Sequence, residues 1–178
     1  MNIAIVGATG NVGRKTLEVL EKKELSISNL YLVASSKSVG KKISFRGKDH
    51  EIFDLESFDF AKVKIAFFAA GGKISEKFAQ KAAKHCLVID NSSFYRMDPD
   101  VPLIVPQVNS NHLDRIKKNI IANPNCSTAQ LVIALKPLHD LFVIKRIVVS
   151  TYQSVSGGGK ASMDELIEQT KLVLEGKE

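Results

Sequence analysis

Near its start the chain reads Asn2-Ile3-Ala4-Ile5-Val6-Gly7-Ala8-Thr9-Gly10-Asn11-Val12-Gly13, an apolar run that leads through three glycines into a helical pattern. The apolar run predicts a buried strand, and the apolar spacing from Gly13 to Lys23 predicts the helix that follows. Glycine is needed between them because the backbone must turn tightly and let a pyrophosphate approach, while the helix N-terminus supplies N–H donors. The G-x-x-G-x-x-G spacing is a variant of the dinucleotide-binding turn. This stretch therefore predicts an α/β nucleotide-binding fold.

Strands and helices continue to alternate along the chain, which predicts a mostly parallel sheet with right-handed crossovers. Further strands are predicted at Leu30 to Ala34, Ile65 to Ala69, Leu87 to Ile89, Asn119 to Ala122 and Val143 to Gln153. Further helices are predicted at Ser75 to Lys84, Val108 to Lys118, Cys126 to Leu141 and Ser162 to Leu174. A small antiparallel excursion is expected between Gly40 and Phe53, with its turn at Gly47-Lys48-Asp49. Pro137 is expected to bend or end its helix.

The composition excludes several classes of protein. With 44% hydrophobic and 25% charged residues, the 178-residue chain is typical of a folded soluble protein. Apolar stretches such as Ile65 to Gly72 fall short of the roughly 18 residues that a membrane span needs. The net charge of +6 comes from dispersed basic pairs without aromatic residues between them, so nucleic-acid binding is not expected. Two cysteines are too few for a disulfide scaffold and are spaced wrongly for a metal site, which favours the cytoplasm.

The segment Ser35-Ser36-Lys37-Ser38 follows the second predicted strand. An NAD site would normally offer a carboxylate there to the ribose hydroxyls, and this segment has none. Hydroxyls and a cation suit a 2′-phosphate because they form charge-assisted hydrogen bonds with it. The segment therefore favours NADP over NAD.

Cys126 stands at the start of a predicted helix, in Asn123-Pro124-Asn125-Cys126-Ser127-Thr128, with Asn125 as the expected cap. A helix N-terminus stabilises a thiolate, which is the condition for nucleophilic chemistry. Cys86 leads into a buried strand and is expected to be inert. Cys126 is therefore the candidate nucleophile, although its position alone leaves a structural role equally open.

Together, six segments closely resemble the aspartate-semialdehyde dehydrogenase family and follow one another in its order along the whole chain. They are Gly7 to Gly13, Ala34 to Lys41, Asp90 to Arg96, Val101 to Pro106, Asn123 to Thr128 and Tyr152 to Gly157. N-x-N-C-S-T followed by Y-Q-x-V-S-G gives the resemblance its specificity. The related N-acetyl-glutamyl-phosphate reductases usually have P-G-C-Y at the nucleophile, which Pro124-Asn125-Cys126-Ser127 does not match.

The resemblance implies a role for each matched segment. It makes Cys126 the nucleophile, gives Arg96 and Asn125 to the phosphate or substrate, and has Gln153 orient the substrate at the thioester. The cofactor-binding residues that it implies are Gly7, Thr9, Gly10, Asn11, Val12, Gly13, Ser36, Lys37, Ser38, Ser156 and Gly157. Lys37 stands where many members have arginine, so the charge is kept but the bidentate fork is lost.

The implied reaction is the NADPH-dependent reductive dephosphorylation of L-aspartyl 4-phosphate to L-aspartate 4-semialdehyde, in lysine, threonine, methionine and diaminopimelate biosynthesis. The Cys126 thiolate would attack the acyl phosphate, expel phosphate and form a thioester that NADPH reduces. The implied fold is a Rossmann-like NADP-binding domain over residues 1–125, followed by the start of an α+β catalytic and dimerisation domain over residues 126–178. The implied protein is cytoplasmic, a homodimer or homotetramer at full length, and without metal, nucleic-acid or membrane partners.

Members of this family are roughly twice as long, and their second half supplies an acid/base histidine and an arginine for the substrate carboxylate. The histidines of this chain lie outside the matched segments; they are His50, His85, His112 and His139. The chain is therefore expected to correspond to the N-terminal half of such an enzyme and to be inactive alone. The alternatives are a non-catalytic nucleotide-binding module, in which Cys126 is incidental, and a relative of N-acetyl-glutamyl-phosphate reductase.

Overall fold

The computed structural model, which describes residues 1–177, contains one seven-stranded sheet. Its strands are β1 (Asn2–Val6), β2 (Asn29–Ala34), β3 (Lys42–Phe45), β4 (Lys48–Asp54), β5 (Ile65–Phe68), β6 (Leu87–Asp90) and β7 (Ile120–Ala122). The helices are α1 (Asn11–Lys22), α2 (Gly72–Ala83), α3 (Pro106–Asn109), α4 (Cys126–Phe142) and α5 (Lys160–Leu174). The strand order is β3-β4-β2-β1-β5-β6-β7, and every neighbouring pair is parallel except β3 with β4. Without β3 this is the order of a doubly wound nucleotide-binding sheet, so the predicted fold class is confirmed.

The side chains of β1 alternate between the two faces of the sheet, as the period of a strand requires. Ile3 and Ile5 belong to the core cluster that contains the buried leucines of α1. Ala4 and Val6 belong to the cluster on the other face, which contains the buried side chains of α2. Because both faces are covered, the strand is apolar from Ile3 to Val6, which is why a short continuous apolar run was sufficient to predict it.

The antiparallel excursion is present, but the predicted position of its turn is wrong. Lys48 and Asp49 already belong to β4, and the two-residue turn is Arg46-Gly47. Both turn residues have positive φ, 50° and 73°, as the twist of a two-residue hairpin requires. Arginine rarely adopts this conformation, so the sequence pointed to the next residues instead.

Contacts with the end of α1 hold Arg46 in this conformation. Its Nη2 donates to the carbonyl oxygens of Leu20 and Lys23 at 3.2 and 2.7 Å, and its Nη1 donates to that of Leu25 at 3.2 Å. The last carbonyls of a helix lack intrahelical donors, and a cation beside them is favourable. Arg46 therefore caps α1 and ties the hairpin to it.

The side of β7 that faces away from β6 is occupied by a short segment of chain. The Ala122 N–H donates to the Pro102 carbonyl at 3.0 Å, and the Ala122 carbonyl accepts from the Ile104 N–H at 2.9 Å. Leu103 and Ala122 form an isolated parallel bridge. The segment from Pro102 to Ile104 thus borders the sheet on this side.

The predicted helix from Val108 to Lys118 is wrong over most of its length. α3 ends at Asn109, and a 3₁₀ segment, Ser110–Arg115, follows it. The Asn109 side chain accepts from the Val105 N–H at 2.8 Å and donates to the Leu103 carbonyl at 2.9 Å. Such side-chain bonds to the backbone compete with helix formation. In contrast, α4 runs past Pro137 and ends at Phe142, so this proline does not end the helix.

The chain divides into two compact units, Met1–Arg146 and a second unit from Ile147 onward. The predicted strand from Val143 to Gln153 is wrong, because residues 143–154 lie outside every strand and helix of the described chain. Its side chains are exposed except that of Ile144, which is half-buried, and Val148 is 80% and Tyr152 100% exposed. β-propensity records how well a side chain fits a pleated, half-buried surface, and these residues have no such surface. The predicted domain boundary after residue 125 stays a prediction.

Candidate functional site

The glycine turn lies where the strand order reverses. From β1 the chain moves to β2 on one side of β1, and later it returns to β5 on the other side. Ligands of open α/β sheets bind in the crevice at the carboxyl ends of the strands at this point. Gly7 has a φ of 87°, and its N–H donates to the Val33 carbonyl of β2 at 2.8 Å. A Cβ on Gly7 would lie 2.7 Å from the Ala69 carbonyl oxygen, so only glycine fits between these strand ends.

Gly13 allows α1 to begin against the turn. A Cβ there would meet the carbonyl oxygen of Gly7, and it would lie 2.8 Å from the Ala8 Cα. Thr9, Gly10, Asn11 and Val12 lie between these contacts, and α1 has no acidic residue in its first turn. The first N–H groups of a helix lack intrahelical acceptors and sit at the positive end of its dipole. The turn therefore fits a pyrophosphate, and the predicted residues from Gly7 to Gly13 lie together.

The serine segment lies beside this turn because β1 and β2 are parallel neighbours. Ser36–Ser38 form a 3₁₀ turn two residues after β2 ends. Lys37 is exposed and makes no hydrogen bond or ion pair with any residue of the described chain. An exposed ammonium group at this edge of the sheet is available to an anion.

Cys126 begins α4, and Asn125 is the cap that the sequence predicted. The Asn125 Oδ1 accepts from the Ser127 N–H at 3.0 Å and from the Ser127 hydroxyl at 2.7 Å. The Cys126 Sγ is exposed and lies 3.7 Å from the same Oδ1. The thiol therefore lies at the positive end of a capped helix, reached directly from the carboxyl end of β7.

Arg96 joins the loops that follow β6 and β7. It is partly buried, and its Nε donates to the Asn123 carbonyl at 2.9 Å, while its Nη2 donates to the Asn91 carbonyl at 3.1 Å. A guanidinium has five N–H groups, so three remain outside these two bonds. Arg96 is thus fixed in place with donors to spare for an anion.

Two asparagines that the sequence analysis did not select complete this arrangement. The Asn123 Nδ2 donates to the Asn91 Oδ1 at 2.8 Å. The Asn91 N–H donates to the Phe68 carbonyl of β5 at 2.9 Å, and the Asn123 N–H donates to the Asp90 carbonyl of β6 at 2.8 Å. Each asparagine directly follows a buried strand, and that position is the signal by which they could have been found.

A buried carboxylate secures the end of β6. Asp90 is fully buried, and its Oδ1 accepts from the Ser75 hydroxyl of α2 at 2.7 Å and from the Ser92 N–H at 3.0 Å. Its Oδ2 accepts from the Ser92 hydroxyl at 2.7 Å. These charge-assisted bonds connect the first turns of α2 to the loop that carries Asn91 and Arg96.

Gln153, Ser156 and Gly157 lie in the second unit, before α5. The Gln153 side chain packs on Gly157, because a Cβ on that glycine would lie 2.8 Å from the Gln153 Cγ. The Ser156 hydroxyl lies 2.6 Å from that of Ser154, and the Gly157 N–H donates to the Ser154 carbonyl at 3.0 Å. The predicted residues of this segment are thus brought together within their own unit.

Over residues 1–177, no three His, Cys, Asp or Glu side chains come close enough to one another to hold a metal ion. In the same range no helix has both the length and the apolar character to cross a membrane.

Two family models match the chain. The model described as "Semialdehyde dehydrogenase, NAD binding domain" matches residues 2–116, and the model described as "Semialdehyde dehydrogenase, dimerisation domain" matches residues 135–178.

Curated relatives include the aspartate-semialdehyde dehydrogenase of Rickettsia bellii, 54% identical over 96% of this chain and 51% of that protein. The aspartate-semialdehyde dehydrogenase of Aquifex aeolicus is 53% identical over 99% of this chain and 53% of its own length. The chain thus spans about half the length of the curated relatives that it matches.

Among solved structures, aspartate semialdehyde dehydrogenase II of Vibrio cholerae complexed with ASA has a TM-score of 0.94 and 50% identity, over 99% of this chain and 53% of that chain. The Candida albicans aspartate semialdehyde dehydrogenase with NADP has a TM-score of 0.68 and 29% identity, over 81% of this chain and 48% of that chain.

Proposed function

The chain belongs to the semialdehyde dehydrogenase family, and from this we propose that it carries the NADP-binding and nucleophile-bearing part of an aspartate-semialdehyde dehydrogenase. The observation that carries the proposal is the exposed Cys126 thiol at the capped start of α4. Cys126 follows the carboxyl end of β7, and the glycine turn follows the carboxyl end of β1. Both therefore lie at the same end of the parallel strands. The names of the curated relatives support the same activity.

In the proposed reaction the Cys126 thiolate attacks the acyl carbon of L-aspartyl 4-phosphate and expels phosphate, which leaves a thioester. The free N–H groups of Arg96 hold the phosphate group during this step, with the Asn125 amide beside it. N–H groups of the first turn of α4 stabilise the oxyanion that develops at the acyl carbon. Gln153 orients the substrate. NADPH, when bound, would supply the hydride for reduction of the thioester; cleavage of the C–S bond then releases L-aspartate 4-semialdehyde and returns the Cys126 thiolate.

The proposed cofactor is NADP. Gly7 to Gly13 would take the pyrophosphate, and Ser36, Lys37 and Ser38 would take the 2′-phosphate, because an exposed cation with flanking hydroxyls complements that group. Ser156 and Gly157 would contact the nicotinamide half. The Candida albicans relative solved with NADP supports this choice.

We propose further that the full-length protein is a cytoplasmic homodimer or homotetramer in lysine, threonine, methionine and diaminopimelate biosynthesis. The match of residues 135–178 to a dimerisation domain supports the assembly.

Replacing Lys37 with glutamate should weaken NADP binding by about 1 to 3 kcal/mol, the scale of a hydrogen bond to a charged group, and should affect NAD less. The ammonium group has no other partner in the described chain, so the loss reports on the ligand. Calorimetric titration of both cofactors measures the effect. Lys64→Glu is the matched control, because that exposed lysine precedes β5 at the opposite end of the sheet. Equal affinity of the parent chain for NAD and NADP would contradict the 2′-phosphate site.

The 178-residue chain alone should show no turnover of aspartate semialdehyde with phosphate. General acid/base catalysis typically contributes about 10²- to 10⁴-fold, and the sequence offers no motif for that group or for a carboxylate clamp. Steady-state assays with and without the separately produced second half of the Aquifex aeolicus relative measure this. Robust activity of the chain alone would mean that the acid/base group lies within it.

A further inference from the structure

We propose that Asn91 and Asn123 are positioning residues, which lock the turn before Cys126 so that the thiol stays at the N-terminus of α4. The proposal rests on the proposed function, in which Cys126 is the nucleophile. Its basis is one hydrogen-bonded group that joins the ends of three neighbouring strands.

The side-chain bond between the asparagines, 2.8 Å from the Asn123 Nδ2 to the Asn91 Oδ1, joins the loops after β6 and β7. Backbone bonds secure both ends: the Asn91 N–H donates to Phe68 of β5, and the Asn123 N–H donates to Asp90 of β6. The Asn91 Nδ2 also donates to the Phe68 carbonyl at 3.3 Å. The position of Asn123, directly after β7, is therefore fixed by β6 and, through Asn91, by β5.

Only Pro124 and Asn125 separate Asn123 from the nucleophile. The pyrrolidine ring fixes φ of Pro124, so a displacement of Asn123 is passed on with little freedom to absorb it. Asn125 must keep its Oδ1 within reach of the Ser127 N–H, 3.0 Å away, to cap α4. Fixing Asn123 therefore fixes the Asn125 cap, and the cap keeps the first turn of α4 in place beside the Cys126 thiol.

Arg96 depends on the same pair. Its two bonds to the protein end on the carbonyls of Asn91 and Asn123, so the distance between those carbonyls sets the direction of its guanidinium. The amide pair therefore aligns both the nucleophile and the remaining donors of Arg96.

The test is the rate at which iodoacetamide labels Cys126 across the pH range, followed by mass spectrometry, with the urea unfolding free energy of each variant. Asn123→Ala removes the side-chain donor but keeps the backbone groups that bind Arg96 and Asp90. It should slow labelling at pH 7 about two- to fivefold, the scale of a helix-terminus effect. The midpoint of the labelling rate plotted against pH should move to higher pH. Asn91→Ala should do the same, and the double variant should label no more slowly than either single variant.

Two further variants separate positioning from general loosening. Asn91→Asp keeps the acceptor for Asn123 and should label faster than Asn91→Ala. Asn119 directly precedes β7, at the end of that strand away from Asn123. Asn119→Gly removes two side-chain hydrogen bonds, to the carbonyl oxygens of Ala83 and Cys86. It should lower the unfolding free energy without changing the labelling of Cys126.

Parent-like labelling in folded Asn123→Ala, or equal slowing in Asn119→Gly, would overturn the proposal. If Asn123→Ala does not fold, the comparison of Asn91→Ala with Asn91→Asp decides it: equal rates in the two overturn it. Failure of the proposed function is seen separately, in the parent chain, as labelling of Cys126 that is no faster than that of Cys86.

Discussion

Iodoacetamide at neutral pH should alkylate Cys126 at least about 100-fold faster than Cys86 in the folded chain. The two thiols lie in opposite environments. Cys86 is 3% exposed, and burial raises the pKa of its thiol to about 11, so very little of it is thiolate at pH 7. Cys126 is exposed at the start of α4, where the reagent can reach it. Mass spectrometry of the two cysteine peptides over time gives both rates.

The same reaction in urea is the control, since unfolding should bring the two rates close together. A Cys126→Ser variant should leave only the slow reaction. Labelling of Cys86 before Cys126 in the folded chain would contradict the nucleophile assignment and would favour a non-catalytic nucleotide-binding module.

Gly13→Ala should cost ~3 kcal/mol or more of the unfolding free energy and should abolish cofactor binding. The added Cβ would meet the Gly7 carbonyl oxygen and lie 2.8 Å from the Ala8 Cα, and these are backbone atoms that no rotamer change can move. Alanine is the better helix former, so propensity alone would change stability in the other direction. Urea unfolding and NADP titration measure the two effects.

Gly10→Ala is the matched control in the same turn. Its φ is −77°, and the added Cβ would make only an ordinary contact, 3.4 Å from the Gly7 oxygen. We expect a stability change within about 1 kcal/mol. Similar losses in both variants would mean that the close contact of Gly13 is not what limits substitution there.

The parallel strands could be predicted because a strand that is buried on both faces has a continuous apolar run in its sequence. β1 and β5 have such runs, and both are present where they were predicted, to within a residue. The hairpin turn was misplaced because Arg46 adopts its left-handed conformation only through bonds to the end of α1, about 21 to 26 residues earlier in sequence. Conformations that depend on distant partners cannot be found from local preferences.

The failed strand from Val143 to Gln153 shows the limit of β-propensity. Its valines and isoleucines favour a pleated, half-buried surface, but a strand also needs a neighbour for its backbone groups. The sequence gives no information about whether that neighbour is available.

The candidate site was predictable where one segment carries the chemistry and not where several segments meet. The glycine turn and the Asn125 cap are local, and both were predicted. The bond between Asn91 and Asn123 joins residues 32 positions apart, and its effect on Cys126 passes through a turn. Two asparagines after two strands are common, so their types alone could not indicate the contact.

The short segment beside β7 has a consequence for how the chain behaves when concentrated. A bare strand edge is a template on which another molecule can add its own strand, and proteins need ways to prevent this. Both backbone groups of Ala122 are already taken, by Pro102 and Ile104. Pro102 has no N–H to offer to an incoming strand, so the segment that covers β7 is itself a poor template. The carboxyl end of β7 is therefore protected against edge-to-edge pairing.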